Sequence, residues 1–242
     1  LLLRGFARHG CRVQGVEPAR AIAREAREQG IDTVVDFLSR QVTDEILRTR
    51  GRARLVTATN VFAHTALVHD MVENVLELLT EDGVFVIEVQ YLLDTLTDGT
   101  FDNIYHEHVS YFSLSSLQRL FERHGMTVYH AKRIDTHGGS LRVHVARDAS
   151  GRRPDDSVST LLALEAEAGL DDPGTYEAFA DRVQDTVRWV RNRVRQAAEE
   201  DRSMVGYGAP AKATTLLNVC ELSSDDLAMV VDDNPRKQGQ FI

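Results

Sequence analysis

Cysteine is nearly absent. Only Cys11 and Cys220 occur, far apart and with no CxxC company. They give neither a zinc site nor a disulfide framework, which suits a reducing cytosol. Basic excess is missing as well. Against 28 Lys and Arg stand 37 Asp and Glu, a net charge of -9, whereas a nucleic-acid surface needs clustered positive charge. No apolar run reaches membrane-spanning length. The first residues lack the apolar region and cleavage site of a signal peptide. Internal repeats and low-complexity segments are lacking too. A cytoplasmic monomer with no nucleic-acid or membrane partner is expected.

What is present is ordinary globular composition, 43% hydrophobic over 242 residues, enough for one large or two medium domains. Residues 1–9 read as a helix, 12–17 as a short strand and 18–30 as a helix opened by Pro18, whose missing N–H costs nothing there. A strand at 31–37, a helix at 42–50 and a strand at 54–59 follow. Leu67, Met71, Val75, Leu78 and Leu79 recur at helical spacing. Residues 83–89 form a nearly wholly apolar strand, as a buried central strand should be. This rhythm indicates an α/β fold with a doubly wound parallel sheet. A helix at 114–124 and two antiparallel-looking strands, 127–134 and 140–145, close the first unit, 1–147. Residues 148–157 are a polar linker with Gly and Pro. A second, smaller α/β unit fills 158–242. Its long helical region breaks near Asp172-Pro173-Gly174, and strands follow at 203–207 and 228–231. The sequence opens as if inside a helix, Leu1-Leu2-Leu3-Arg4-Gly5-Phe6, and stops at Gln240-Phe241-Ile242 just after a turn-rich segment, so both ends are expected to be cut.

The most informative stretch is Phe101-Asp102-Asn103-Ile104-Tyr105-His106-Glu107-His108-Val109-Ser110-Tyr111-Phe112-Ser113. A phenol, two imidazoles and a carboxylate stand on four consecutive residues, with Tyr111 three further on. Such groups move protons near neutral pH. Spacing leaves two readings open, a catalytic segment and a hydrogen-bonded structural corner.

Ligands of doubly wound sheets sit at the carboxyl ends of the strands. Glu17 ends the first strand, where a carboxylate either accepts both hydroxyls of a ribose or simply favours a helix start. Asn60 and His64, in Asn60-Val61-Phe62-Ala63-His64, follow the third strand and would project over the sheet edge. The bland alternative is a helix cap and a surface histidine. Glu88 lies in an apolar strand, so it pairs or faces a ligand. Gly206-Tyr207-Gly208-Ala209-Pro210-Ala211-Lys212 runs from strand to helix. Its backbone N–H groups are expected to be unpaired donors that approach phosphate oxygens, and Lys212 adds a positive charge. A plain tight turn is the alternative.

Together these segments resemble the sugar C-methyltransferases that act on nucleotide-linked deoxysugars in antibiotic biosynthesis. The resemblance rests on Gly15-Val16-Glu17-Pro18, Asn60-Val61-Phe62-Ala63-His64, Gly83-Val84-Phe85-Val86-Ile87-Glu88-Val89 and the 101–113 segment. It continues through His137-Gly138-Gly139-Ser140-Leu141-Arg142, Gly206–Lys212 and Asp232-Asp233-Asn234-Pro235. It implies an S-adenosylmethionine (SAM) domain and a C-terminal domain that helps hold the nucleotide sugar, dTDP-linked. The family's cysteine-rich zinc domain, its first sheet strand and the glycine-rich loop after it should precede Leu1. No metal site is expected here, and this stretch alone is expected to hold SAM weakly or not at all. The implied chemistry removes a proton next to a ketone, and the enolate attacks the SAM methyl. By resemblance His108 is the base, Tyr105 its partner or an alternative, Glu107 orients or tunes the imidazole, and His64 polarises the ketone. His106 sits at a variable place and is set aside. Glu17 would hold the SAM ribose, with Asp36, Phe37 and Asn60 around the cofactor. Gly206, Gly208, Lys212, His137 and Tyr111 would meet the substrate.

Two other classes compete. An oxidoreductase could use Glu17 for the ribose of NAD, but it leaves the Tyr-His-Glu-His run unexplained. A non-catalytic nucleotide-binding protein gains weight only from the missing N-terminal parts.

Overall fold

The computed structural model describes residues 2–241; Leu1 and Ile242, which belong to the ends read as cut, lie outside the described residues. The chain begins with α1 (Leu2–Arg8), β1 (Gly15–Val16), α2 (Arg20–Glu28), β2 (Thr33–Val34) and α3 (Arg40–Arg50). It continues through β3 (Ala53–Thr59), α4 (Val68–Leu78), β4 (Leu79–Gln90), α5 (Leu92–Asp98) and α6 (Leu114–Glu122). Then come β5 (Met126–Ile134), β6 (Ser140–Arg147), α7 (Asp156–Glu167), α8 (Pro173–Glu199), β7 (Val205–Tyr207), α9 (Ala211–Val219) and β8 (Met229–Val231).

The α/β reading holds, but the sheet is not one continuous parallel array. β1 and β2 pair only with each other, in parallel. They are shorter than 12–17 and 31–37 because only two residues of each face a partner. The main sheet has the order β3-β4-β6-β5. β3 runs parallel to β4, whereas β6 lies antiparallel to both β4 and β5. The β5–β6 hairpin turns at His137, Gly138 and Gly139, all with positive φ. A third pair, β7 and β8, is parallel.

One face of the main sheet makes the core. Phe85 and Ile87 of β4 stand opposite Val145 and Val143 of β6, and with Val89 they share the core with Val72 and Val75 of α4 and Leu117 and Phe121 of α6. Such period-two and helical spacings are what amphipathic burial demands. Val158 and Leu161 of α7, and Phe179 and Val187 of α8, join the same core. The segment after the polar stretch 148–157 is thus packed onto the sheet, and Asp155 N donates to Tyr129 O at 3.0 Å. The predicted break at Asp172-Pro173-Gly174 is a helix start: Asp172 accepts from Gly174 N and Pro173 opens α8. α5 was not foreseen. It has seven residues and ends at Gly99, whose φ is 68°, too short for a periodic signal.

Candidate active site

The site grows from Phe62. Its ring is fully buried and packs at 5.4 Å from Phe112 and 6.2 Å from Phe121. That burial pulls the turn Phe62–His64 onto the core and leaves His64 exposed above it. The carbonyl of Ala63 accepts hydrogen bonds from Val109 N (3.0 Å) and Ser110 N (3.3 Å). The titratable segment is therefore laid across the end of β3. Asn60 sits beside it with φ 52°, and its N–H donates to Glu88 O at 2.9 Å.

Four expected side chains come together there. The rings of His64 and His108 meet edge to face at 5.0 Å. Tyr105 lies 4.4 Å from His108, centroid to centroid, and Tyr111 6.1 Å. His108 Nδ1 is 2.8 Å from the backbone oxygen of Asn103. A carbonyl only accepts, so Nδ1 carries the proton and Nε2 of the neutral ring keeps its lone pair. Burial pushes the His108 pKa down, Asn103 O opposes this, and His64 adds to the lowering. The neutral, basic form is thereby favoured. Burial raises the Tyr105 phenol, helped by Glu107, and raises Tyr111 too. Both stay protonated as donors.

Glu107 makes no hydrogen bond to His108, although its charge works against the lowering of the His108 pKa. It is exposed, and its carboxylate lies 4.0 Å from His106; the orienting acceptor is Asn103. The sequence could not reveal this, since a backbone oxygen is carried by every residue type. Asn103 is itself buried. A Cβ on Gly138 would stand 3.8 Å from Asn103 Nδ2, and one on Gly139 only 2.1 Å from Asp94 Oδ2. The His137-Gly138-Gly139 turn is thus the back wall of the segment, while His137 itself is exposed. Glu88 pairs: Arg142 donates to its Oε2 from Nε (3.1 Å) and Nη2 (2.7 Å), and Thr136 to its Oε1.

The C-terminal unit reaches the segment through Lys212, whose Nζ is 3.5 Å from Asp102 Oδ2. The loop before it is less open than its sequence suggests. Gly208 N donates to Val231 O at 2.7 Å, and Ala209 N to Asp232 Oδ2 at 2.8 Å. Gly206 lies inside β7, opposite Val230. The amides expected to be free are therefore engaged by neighbouring acceptors.

Glu17 and Asp36 follow the adjacent parallel strands β1 and β2, on one edge. Glu17 Oε1 accepts from Ala19 N at 2.9 Å, and Asp36 Oδ1 from Phe37 N at 2.8 Å. The Phe37 ring is 72% exposed. Two carboxylates with spare lone pairs beside an open aromatic face fit ribose hydroxyls and an adenine. Asp36 and Phe37 follow β2, whereas His64 follows β3 and His108 lies in the segment between α5 and α6.

A family model described as a methyltransferase domain matches residues 1–131. The chain belongs to the methyltransferase family. A second model, the C-methyltransferase C-terminal domain, matches residues 135–242 of this methyltransferase. The C-methyltransferase NovU of Streptomyces niveus is 38% identical over 237 residues, 98% of this chain. The chain spans 56% of that relative's length. Among solved structures, magnesium protoporphyrin IX methyltransferase of Synechocystis is similar at a TM-score of 0.46 and 12% identity, over 58% of this chain and 66% of the other. The 1,6-didemethyltoxoflavin-N1-methyltransferase of Burkholderia thailandensis gives 0.42 and 18%, over 63% and 66%. Among the described residues of this methyltransferase, no helix is long and apolar enough to cross a membrane.

Proposed function

We propose that the full-length protein moves a methyl group from SAM to a carbon next to the ketone of a nucleotide-linked keto-deoxysugar. One observation carries the reading: His108 Nδ1 stands 2.8 Å from Asn103 O, which leaves Nε2 of the neutral ring as the basic nitrogen in a cluster with His64 and Tyr105. His108 Nε2 takes the proton from the carbon. Tyr105, kept protonated, and His64 face the ketone side and donate to the oxygen as charge develops on it. SAM, when bound, supplies a methyl on a sulfonium already disposed to lose it. Glu17 holds the ribose hydroxyls, with Asp36, Phe37 and Asn60 around the rest of that ligand.

The units 1–147 and 158–242, joined by 148–157, divide the work. The first takes SAM. The second, through Lys212, Gly206 and Gly208, takes a dTDP-linked sugar together with His137 and Tyr111 of the first. Because Gly208 and Ala209 amides are engaged, Lys212 carries the attraction for the diphosphate. We place the protein in the cytoplasm, working as a monomer.

Incubation of full-length protein with SAM and a panel of 4-keto nucleotide sugars, read by mass spectrometry, tests the reading. One sugar should gain a single methyl. Deuterium uptake next to the ketone should occur in heavy water. Failure of the whole panel on both readouts would overturn it.

A further inference from the structure

We infer that Glu165, on α7 in the second half of the chain, is a positioning residue that fixes the far end of the titratable segment through the start of α6. The inference rests on the reading of His108 as the base. Glu165 is only 3% exposed. Its Oε1 accepts from Tyr91 Oη at 2.9 Å and from Leu114 N, and its Oε2 from Ser115 N at 3.0 Å. Ser113 Oγ accepts from the next amide, Ser116 N, at 3.1 Å. The first three amides of α6, which no helix can satisfy internally, are thus all bound, two of them by one remote carboxylate. Burying a carboxylate is costly without partners, and three donors at the positive end of a helix offset that cost.

Tyr91 extends the contact to the site. Burial first, then Glu165, raises its phenol, so it remains the donor. Its own N–H donates to Gly139 O at 3.2 Å, and it bridges Phe112. Leu92 N donates to Phe112 O at 2.9 Å. One carboxylate therefore ties together the hairpin turn, the residue after Tyr111 and the helix that follows. The near end is held separately by the Lys212–Asp102 pair, and the helix before it by Arg182 Nη2 donating to Leu96 O at 2.7 Å. Without Glu165 the start of α6 loses two of its caps, and the far end of the segment is held only by Leu92 N on Phe112 O and by the packing of Phe112 on Phe62. Val109 and Ser110 then detach more often from Ala63 O, and His108 leaves its aligned position.

The test uses E165Q and Y91F in the full-length protein. E165Q keeps the volume but sets an NH2 group against donors. Its kcat should fall about 10- to 100-fold, as misalignment of a base does, with the KM for SAM nearly unchanged. Amide exchange at Val109 and Ser110 should speed up, and the His108 imidazole should titrate closer to a free one by NMR. Y91F, which removes a single donor, should show the same signs more weakly, and it serves if E165Q does not fold. A folded variant with wild-type kcat and unchanged exchange at both amides overturns the assignment, leaving Glu165 as a packing partner only. If the wild type methylates no keto sugar, the proposed function falls, while exchange and titration still decide Glu165.

Discussion

Lys212 Nζ stands 3.5 Å from Asp102 Oδ2, which ties the start of α9 to the opening turn of the titratable segment. The pair is partly exposed, so by itself it adds at most about 1 kcal/mol to stability. Its position matters more. A diphosphate arriving at Lys212 competes with Asp102 for the same ammonium. Lys212→Ala should raise the KM for the sugar nucleotide, lessen its salt dependence and leave SAM affinity alone. A bound structure with the diphosphate remote from Lys212 would remove this role.

His108→Ala should lower methyl transfer by about 10²–10⁴-fold, the usual loss for a general base. Deuterium exchange next to the ketone should fall with it, and both ligands should still bind. Exchange at the wild-type rate would take His108 out of the mechanism.

The pH dependence has a definite sign. The basic form of His108 is the neutral one, and its pKa lies below that of a free imidazole, chiefly through burial. The kcat/KM should rise with pH through that lowered value and level off at a pH where a free imidazole would still be partly protonated. His64 disfavours a proton on His108. In His64→Gln the acid limb should therefore move to higher pH. A limb that moves lower would contradict the electrostatic account.

Glu17→Ala should weaken SAM by roughly 1.5–3 kcal/mol, about ten- to more than a hundredfold. Titration calorimetry on the full-length protein reads this directly. Sugar nucleotide binding should hardly change. Unaltered SAM affinity would reduce Glu17 to the helix-start contact with Ala19.

Gly139→Ala should be severe. The added Cβ would lie 2.1 Å from Asp94 Oδ2, and φ is 101°. Overpacking alone costs about 1–3 kcal/mol, and the backbone conformation adds strain. Thermal unfolding should drop by several degrees, and the activity of the folded fraction should drop as well, because the turn backs Asn103.

The core of β4 was legible from its nearly continuous apolar run at 83–89, although β4 itself starts at Leu79, and α4 was legible because burial on one face imposes a helical period. So were the hairpin and the gathering of Tyr105, His108 and Tyr111, which adjacency in the chain nearly guarantees. The meeting of His64 with His108 came through resemblance, since nothing local links them. Three features stayed hidden. Asn103 acts through its backbone. Glu165 reads as one more charge in a helix, and only tertiary packing gives it 3% exposure. The engagement of the Gly208 and Ala209 amides depends on Val231 and Asp232, which lie far along the sequence.

The strand order has a consequence for synthesis. β6 lies between β4 and β5 in space but follows both in the chain. As the polypeptide leaves the ribosome, β4, the segment 101–113 and β5 emerge before the strand that joins them. Pairings of such sequence separation form late, and the waiting edges invite misassociation. Gly139, whose oxygen receives Tyr91 N, arrives with that late strand, and Glu165 arrives later still. The proton-handling centre is therefore among the last parts of the molecule to be assembled, and a nascent chain stalled before β6 would carry every titratable residue of the cluster without the frame that makes them a site.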